Sequence, residues 1–156
     1  MITVAISLLL ASAPKFETLI FVTSDCPIAR RFTPEIKRIM RDYQGVSTFM
    51  VVYEDENASL PKMKAHHREF GLECPLILDP SRRLAKQYQV KGVPAVLVRN
   101  GQGKVLYFGR IDDSYGSDFK WRPAKHHDLR NALGALKNGK TVPVPKTVVI
   151  GCALNN

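Results

Sequence analysis

The feature that most constrains this chain is a single cysteine at the junction of a strand and a helix. Residues 16–23 are β-rich and almost wholly apolar at their end, which is typical of a buried parallel strand. Cys26 follows, and Pro27 after it suits the first turn of a helix, because the N–H that proline lacks has no helical partner there. The sequence therefore predicts that a strand delivers Cys26 to a helix N-terminus.

The rest of the chain alternates strands and helices and ends in a hairpin, a helix and a tail. The predicted strands lie at 16–23, 46–53, 76–78, 93–98 and 104–109, and the main helices at 27–43, 59–70 and 124–137, with a short helix opened by residues 79–81. Such an order implies an α/β fold in which helices cover both faces of a mixed sheet. We expect one domain at 15–139, preceded by a segment at 1–14 and followed by an extended tail at 140–156.

The N-terminal residues 1–13 are apolar and end in Ala11-Ser12-Ala13, a small-x-small pattern suited to signal cleavage. The run is too short to span a bilayer, and no Lys or Arg precedes it. We interpret it as part of a truncated export signal whose true start lies upstream; an extra strand or arm packed on the domain is the alternative. Export is favoured, to the periplasm if the source is bacterial, and a cytoplasmic location stays open.

The charge balance is basic, with 23 Lys and Arg against 14 Asp and Glu and a net charge of +9. Many of these cations fall on predicted helix faces, so a solvated basic surface is the first interpretation. Attraction to an acidic partner protein or an anionic membrane surface is the second. Nucleic acid is not an expected partner, because no recognition motif accompanies the charge.

Three motifs in order resemble the thioredoxin superfamily over residues 16–139. Cys26 stands at the strand-to-helix junction, Pro34 follows it by eight residues, and Lys91-Gly92-Val93-Pro94-Ala95 precedes a hairpin. Pro34 is similar to the kink proline of the active-site helix, and residues 91–95 are similar to the cis-proline loop. The resemblance implies a thioredoxin-like fold in which Val93 and a cis Pro94 face the thiol and bind the substrate. A trans proline opening an edge strand is the alternative.

A closer resemblance is to redoxins of the alkyl hydroperoxide reductase/thiol-specific antioxidant type, which are peroxiredoxin-like. It rests on residues 25–28 (Asp-Cys-Pro-Ile), 109–113 (Gly-Arg-Ile-Asp-Asp) and 151–152 (Gly-Cys). The resemblance implies thiol-based redox chemistry with Cys26 as the nucleophile. The implied partners are a protein thiol or disulfide, or a peroxide, as substrate and an external electron donor. No cofactor is implied.

Departures from the two parent patterns leave three functions open. Thr23 and Cys26 match the peroxidase pattern P-x-x-x-T-x-x-C, but Leu19 replaces its proline. Ala29 replaces the second cysteine of the thioredoxin pattern C-x-x-C. A thiol–disulfide oxidoreductase is the favoured function, a thiol peroxidase using Thr23 is the second, and a non-catalytic binding module is the third.

The environment expected for Cys26 favours the thiolate, which is the form that attacks disulfides and peroxides. A helix N-terminus offers unpaired N–H groups and the positive end of the dipole. Arg30 and Arg31 lie one turn on, and the Thr23 hydroxyl is a hydrogen-bond donor, whereas the Asp25 carboxylate opposes a second negative charge. A buried, inert cysteine is the alternative.

A disulfide partner for Cys26 must come from far along the chain. Cys152 follows a proline-spaced tail, and the thirteen residues after Gly139 reach about 40 Å when extended. We predict that the tail returns Cys152 to Cys26 as the resolving thiol, with a free or merely packed Cys152 as the alternative. Cys74 precedes the strand at 76–78, which places it at the opposite sheet end, so we expect it to be structural.

Other polar groups do not predict a metal site. The pairs at 66–67 and 126–127 are adjacent histidines, which point in different directions from a helix, and no H-x-x-x-H spacing is present. Arg110 follows the return strand of the hairpin and therefore lies toward the active-site end. It is predicted to bound the substrate cleft, with a salt-bridged loop as the alternative.

Overall fold

The computed structural model describes residues 13–154, so the predicted signal segment lies almost wholly outside the described residues. In chain order the elements are β1 (Phe16–Val22), α1 (Pro27–Tyr43), β2 (Ser47–Tyr53), α2 (Leu60–Glu69), β3 (Leu76–Leu78), α3 (Arg83–Tyr88), β4 (Gly92–Val93), β5 (Ala95–Asn100), β6 (Val105–Gly109), α4 (Asp128–Lys137) and β7 (Cys152–Ala153).

Five strands form one mixed sheet in the order β3-β2-β1-β5-β6. Strand β1 is parallel to β2, and β2 is parallel to β3, whereas β5 runs antiparallel to both β1 and β6. The central strand β1 is buried over its last five residues, which explains its continuous apolar run. The predicted α/β class and mixed sheet are confirmed.

Two predicted boundaries are wrong for identifiable reasons. The predicted strand at 93–98 is divided into β4 and β5 because Pro94, which separates them, has no N–H to donate to a ladder. Helix α4 begins at Asp128 rather than at 124, because Asp113 takes the preceding backbone into a loop. The Asp113 carboxylate accepts the N–H groups of Lys125 and His126 at 2.7 and 2.9 Å.

Helix α1 positions Cys26 and is itself held against α4. Its buried residues include Ile28, Phe32 and Ile36, spaced one turn apart on one face. Arg130 of α4 binds Glu35 and Asp42 of α1, the latter at 2.9 Å. None of the helices within residues 13–154 is long and apolar enough to cross a membrane.

The C-terminal tail first follows the outer edge of β6. The N–H of Phe108 donates to the carbonyl of Pro145 at 2.9 Å, and the N–H of Thr147 donates to the carbonyl of Phe108 at 3.1 Å. The tail then leaves β6 and pairs through β7 with β4, away from the five-stranded sheet. This route brings Cys152 to the N-terminus of α1.

Candidate active site

Cys26 is the N-cap residue of α1 and is only 1% exposed. Its backbone is extended, its N–H donates to the carbonyl of Thr23 at 3.3 Å, and its carbonyl accepts the N–H of Arg30 at 3.1 Å. The first turn of α1 contains no acidic side chain. The sulfur therefore lies at the positive end of the helix dipole, as the sequence predicted.

Cys152 reaches Cys26 and forms a disulfide with it across a sequence separation of 126 residues. The two Cα atoms are 6.1 Å apart, within the usual range for bonded cysteines. Cys152 is partly exposed, unlike Cys26. The prediction that the tail returns Cys152 to Cys26 is thus confirmed in its geometry.

The backbone around Cys152 is held by a short antiparallel ladder. Val93 pairs with Cys152, Gly92 pairs with Ala153, and the N–H of Leu154 donates to the carbonyl of Lys91 at 3.0 Å. The Val93–Pro94 peptide bond is cis. The carbonyl oxygen of Val93 lies 3.5 Å from Sγ of Cys26, so β4 borders both cysteines.

Two residues flanking Cys152 fit closely against the domain. A Cβ atom added at Gly151 would overlap the carbonyl group of Val93, so only glycine allows the tail this close. Leu154 is 7% exposed and packs in the core. Cys152 is therefore seated by contacts on both sides of it as well as by the disulfide.

A threonine in the tail provides a second anchor before the disulfide. Tyr107 Oη donates to the carbonyl of Arg110 at 2.7 Å, so at 2.8 Å it accepts the hydroxyl proton of Thr147. Oγ1 of Thr147 in turn accepts the N–H of Arg110 at 3.0 Å. A Cβ at Gly109 would overlap Thr147. This anchor was not predicted from the sequence. Its one signal there is Gly109 at the end of a strand, because glycine in a strand often marks a close approach of another backbone.

The remaining predicted site residues have structural contacts of their own. Arg110 Nε binds a carboxylate oxygen of Asp128 at 2.7 Å, at the start of α4. Within residues 13–154 no hydrogen bond joins the Thr23 hydroxyl to Cys26. Arg31 stacks over the Trp121 ring at 4.6 Å. Substrate roles for Arg110 and Thr23 stay predictions.

Cys74 lies apart from this pair, just before β3. Strand β3 runs parallel to β1 through β2, so its start is at the sheet edge opposite the end of β1, where Cys26 follows. Burial raises the pKa of the Cys74 thiol to about 11. This thiol is consequently protonated at neutral pH, in agreement with a structural role.

The histidines at 66–67 form a chain with Tyr53. His67 Nε2 is 2.7 Å from the carbonyl oxygen of Cys74, which only accepts, so this nitrogen carries a proton. In a neutral His67, Nδ1 then accepts from Tyr53 Oη at 3.2 Å, and Tyr53 Oη accepts from His66 Nδ1 at 2.9 Å. In the part of the chain described, no three or more His, Cys, Asp or Glu side chains are grouped to hold a metal.

Solved structures show the same fold. An uncharacterized conserved protein from Geobacillus kaustophilus has 26% sequence identity and a TM-score of 0.77, with 89% of this chain and 76% of that chain covered. A hypothetical protein from Sinorhizobium meliloti has 21% identity and a TM-score of 0.77, covering 92% and 80%. A secreted Mycobacterium tuberculosis disulfide oxidoreductase homologous to E. coli DsbE has 18% identity and a TM-score of 0.55, covering 82% and 85%.

Sequence comparison identifies the family. No curated protein matches the chain significantly. The family model described as AhpC/TSA family matches residues 9–108, a span that includes β1, Cys26, α1 and the cis-proline loop. The chain is therefore a member of the AhpC/TSA family of thioredoxin-like redoxins.

Proposed function

We propose that this protein is a thiol–disulfide oxidoreductase that cycles between a Cys26–Cys152 disulfide and two thiols. The observation that carries the proposal is the return of Cys152 to the N-terminus of α1 across 126 residues. A dithiol/disulfide pair transfers two electrons and two protons. The N-terminus of a helix stabilises the thiolate form of a cysteine, which is the nucleophile in this exchange. Cys26 is the nucleophile and Cys152 is the resolving thiol.

In the reducing half-reaction, the thiolate of an external dithiol attacks Sγ of Cys152. Cys152 is the more exposed sulfur, whereas Cys26 is 1% exposed and its sulfur borders the carbonyl oxygen of Val93. The Cys26–Cys152 bond breaks, a donor–Cys152 disulfide forms, and Cys26 leaves as a thiolate stabilised by α1. The second donor thiolate then attacks the donor's own bonded sulfur, so that the donor becomes a disulfide and Cys152 becomes free.

In the oxidising half-reaction, the Cys26 thiolate attacks one sulfur of a substrate disulfide. The substrate S–S bond breaks, one substrate thiolate leaves, and a substrate–Cys26 disulfide forms. The Cys152 thiolate then attacks Sγ of Cys26, which releases the second substrate thiolate and restores the Cys26–Cys152 bond. The substrate gains two electrons, and Val93 and Pro94 border the cleft in which it binds.

A thiol peroxidase is the second candidate, favoured by the AhpC/TSA match and by the Thr23 and Cys26 spacing. Here the Cys26 thiolate attacks a peroxide oxygen, the O–O bond breaks, and an alcohol or water leaves. Cys26 becomes a sulfenic acid, and the Cys152 thiol condenses with it to form the disulfide and release water. Both candidates use the same pair of cysteines and differ in the oxidant.

We also propose that the protein works outside the cytoplasm. A disulfide that links distant parts of a chain persists in oxidising compartments. The structurally similar M. tuberculosis oxidoreductase is described as secreted. The partners that we expect for the present protein are a protein disulfide as substrate and a dithiol protein as electron donor.

Rapid kinetics with the reduced protein separate the candidates. We would mix reduced wild type, C26S, C152S and C74S with oxidised glutathione or with hydrogen peroxide, quench with acid, remove glutathione and follow loss of the protein's own thiols. The proposal predicts fast glutathione exchange that needs Cys26, closure that needs Cys152, and no effect of C74S. Peroxide reduction that is faster than exchange would favour the peroxidase. An unreactive Cys26 in wild type, C152S and C74S would contradict both and favour a binding module.

A further inference from the structure

We infer that the tail of the protein, paired with the edge of β4, displays the sequence pattern that this site prefers in the cysteine-containing segment of its substrate. That pattern is an extended segment with glycine directly before its cysteine and a large apolar residue two positions after it. The inference rests on the proposed function, because it concerns the mixed disulfide that Cys26 forms with its substrate.

The edge of β4 has backbone groups that need a partner strand. Strand β4 stands outside the five-stranded sheet, and in the described part of the chain its ladder partner is β7. The ladder joins two residue pairs, Gly92 with Ala153 and Val93 with Cys152. When the disulfide is reduced, the covalent link that holds this two-pair ladder closed is lost, and an extended peptide is the ligand that pairs with an open edge.

Disulfide geometry fixes where a substrate cysteine must lie. Cys26 is 1% exposed, and its sulfur is approached from the side that Cys152 occupies. The Cα atoms of bonded cysteines lie about 4.4–6.8 Å apart, and pairing with Val93 restricts the direction, so a substrate cysteine bonded to Cys26 takes nearly the position of Cys152. Its neighbours in the chain then take the positions of Gly151 and Leu154.

The tail shows what each neighbouring position accepts. A side chain at the position of Gly151 would overlap the carbonyl group of Val93, so this position takes glycine. The position of Leu154 is 7% exposed and takes a large apolar residue. The positions of Ala153 and Val148 are exposed, the latter by 73%, and accept any side chain.

The tail also competes with the substrate. A tethered segment has an effective concentration in the millimolar range, so a free peptide docks only when its own contacts match those of the tail. The tail therefore excludes peptides whose residues around the cysteine match the site poorly. This exclusion makes the site selective, although its ladder hydrogen bonds involve only backbone groups. Substrate docking and closure of the Cys26–Cys152 bond are consequently alternating occupations of one edge.

The test uses full-length reduced C152S and synthetic peptides with the tail sequence, VVIGCAL. Each peptide carries its cysteine as a mixed disulfide with 2-nitro-5-thiobenzoate, so that attack by Cys26 on the peptide sulfur releases a coloured thiolate. We compare VVIGCAL with VVIACAL, VVIGCAS and the matched control KVIGCAL, which changes the exposed position. Each rate constant is divided by that of glutathione with the same peptide.

The inference predicts that VVIACAL and VVIGCAS react at least about tenfold more slowly than VVIGCAL, because overlap or lost apolar burial of this kind exceeds a tenfold effect. KVIGCAL should react within about twofold of VVIGCAL, as an exposed substitution. Equal corrected rates for all four peptides would overturn the inference and leave the proposed function intact. Failure of Cys26 to react with any peptide or with 5,5′-dithiobis(2-nitrobenzoate) would overturn the proposed function, and the inference with it.

A second variant tests the competition from the protein side. Leu154→Ser in the C152S background weakens the seat of the tail and leaves its apolar position free, so VVIGCAL should react faster by several-fold. Val148→Ser, at a position that is 73% exposed and outside the ladder, is the matched control and should leave the rate unchanged. A rate that L154S leaves unchanged or lowers would contradict the inference.

Discussion

Val93 faces Cys152 across the β4–β7 ladder, and its carbonyl oxygen is also 3.5 Å from Sγ of Cys26. One residue thus contacts both halves of the disulfide, by strand pairing on one side and by its carbonyl on the other. Docking of the tail and closure of the disulfide therefore depend on each other. A change that loosens the tail should alter the chemistry of Cys26, and reduction should loosen the tail.

Reduction should destabilise the fold substantially. The disulfide closes a loop of 126 residues, and cross-links of this length stabilise a protein by about 2–5 kcal/mol, chiefly through the unfolded chain. We expect the free energy of unfolding, measured with denaturant, to fall by that amount in reduced wild type. Without reductant, C152S should show a similar loss of unfolding free energy relative to oxidised wild type. The unfolding free energy of C74S should fall on reduction as much as that of wild type. Identical unfolding of oxidised and reduced wild type would contradict a closed resting disulfide.

Thr147→Val should release the tail without touching either cysteine. The substitution removes the hydroxyl that links Tyr107 Oη and the N–H of Arg110, which costs about 1 kcal/mol. In the reduced protein we expect alkylation of Cys26 to become about fivefold faster, because the tail that covers Cys26 detaches from the domain more often. Val148→Ala, at a position that is 73% exposed, is the control. Equal alkylation rates for T147V and wild type would argue against the anchor.

The three cysteines should differ sharply in reactivity. Burial raises the pKa of Cys74 to about 11, so at pH 8 only about one molecule in a thousand carries its thiolate. After reduction, thiol labelling at pH 8 should show two reacting thiols and a third that is slower by a hundredfold or more. Peptide mapping should assign the slow thiol to Cys74. Labelling of Cys74 as fast as Cys26 would contradict its burial.

Glu54 should make stability depend on pH. Among residues 13–154 its buried carboxylate oxygens have no hydrogen-bond partner, and burial, with the charge of Asp79, raises its pKa from 4.5 to about 8. The folded state therefore holds a proton that the unfolded state releases. From pH 4.5 to about 8 this carboxyl should lower the free energy of unfolding by up to about 1 kcal/mol per pH unit as pH rises.

Glu54→Gln should remove most of that slope, and the variant should gain stability relative to wild type as pH rises toward 8. Glu73→Gln, at an exposed position, is the matched control and should keep the slope of wild type. Denaturant unfolding at several pH values between 4.5 and 8 measures the effect. Parallel pH profiles for E54Q and wild type would show that Glu54 is ionised in the folded state.

Sequence reasoning located Cys26 because its position depends on local patterns. An apolar run followed by Cys26 and Pro27 defines a strand, a junction and a helix start within a dozen residues. The length and proline spacing of the tail were also sufficient to predict that Cys152 reaches Cys26. The strand, the junction and the helix start appear in the structure as predicted because neighbouring residues determine them.

The seat of the tail was not predictable in the same way. The Thr147 anchor joins it to Arg110, 37 residues earlier, and the overlap at Gly151 involves Val93, nearly sixty residues earlier. The loop that precedes α4, and because of which the helix begins at Asp128, likewise depends on Asp113, which accepts the N–H of Lys125 twelve residues later. Such contacts need the three-dimensional path of the chain, although glycines at 109 and 151 mark two places where backbones approach closely.

A non-reducing peptide map of the purified protein, before and after mild peroxide, tests the central claim most directly. Free thiols are blocked first, the protein is digested, and linked peptides are identified by mass. The account predicts one pair of linked peptides, which contains Cys26 and Cys152. The link is lost on reduction and restored by the oxidant, and Cys74 carries the blocking reagent in every sample. Cys26 recovered as a sulfenic acid or an external adduct, with Cys152 free, would contradict it.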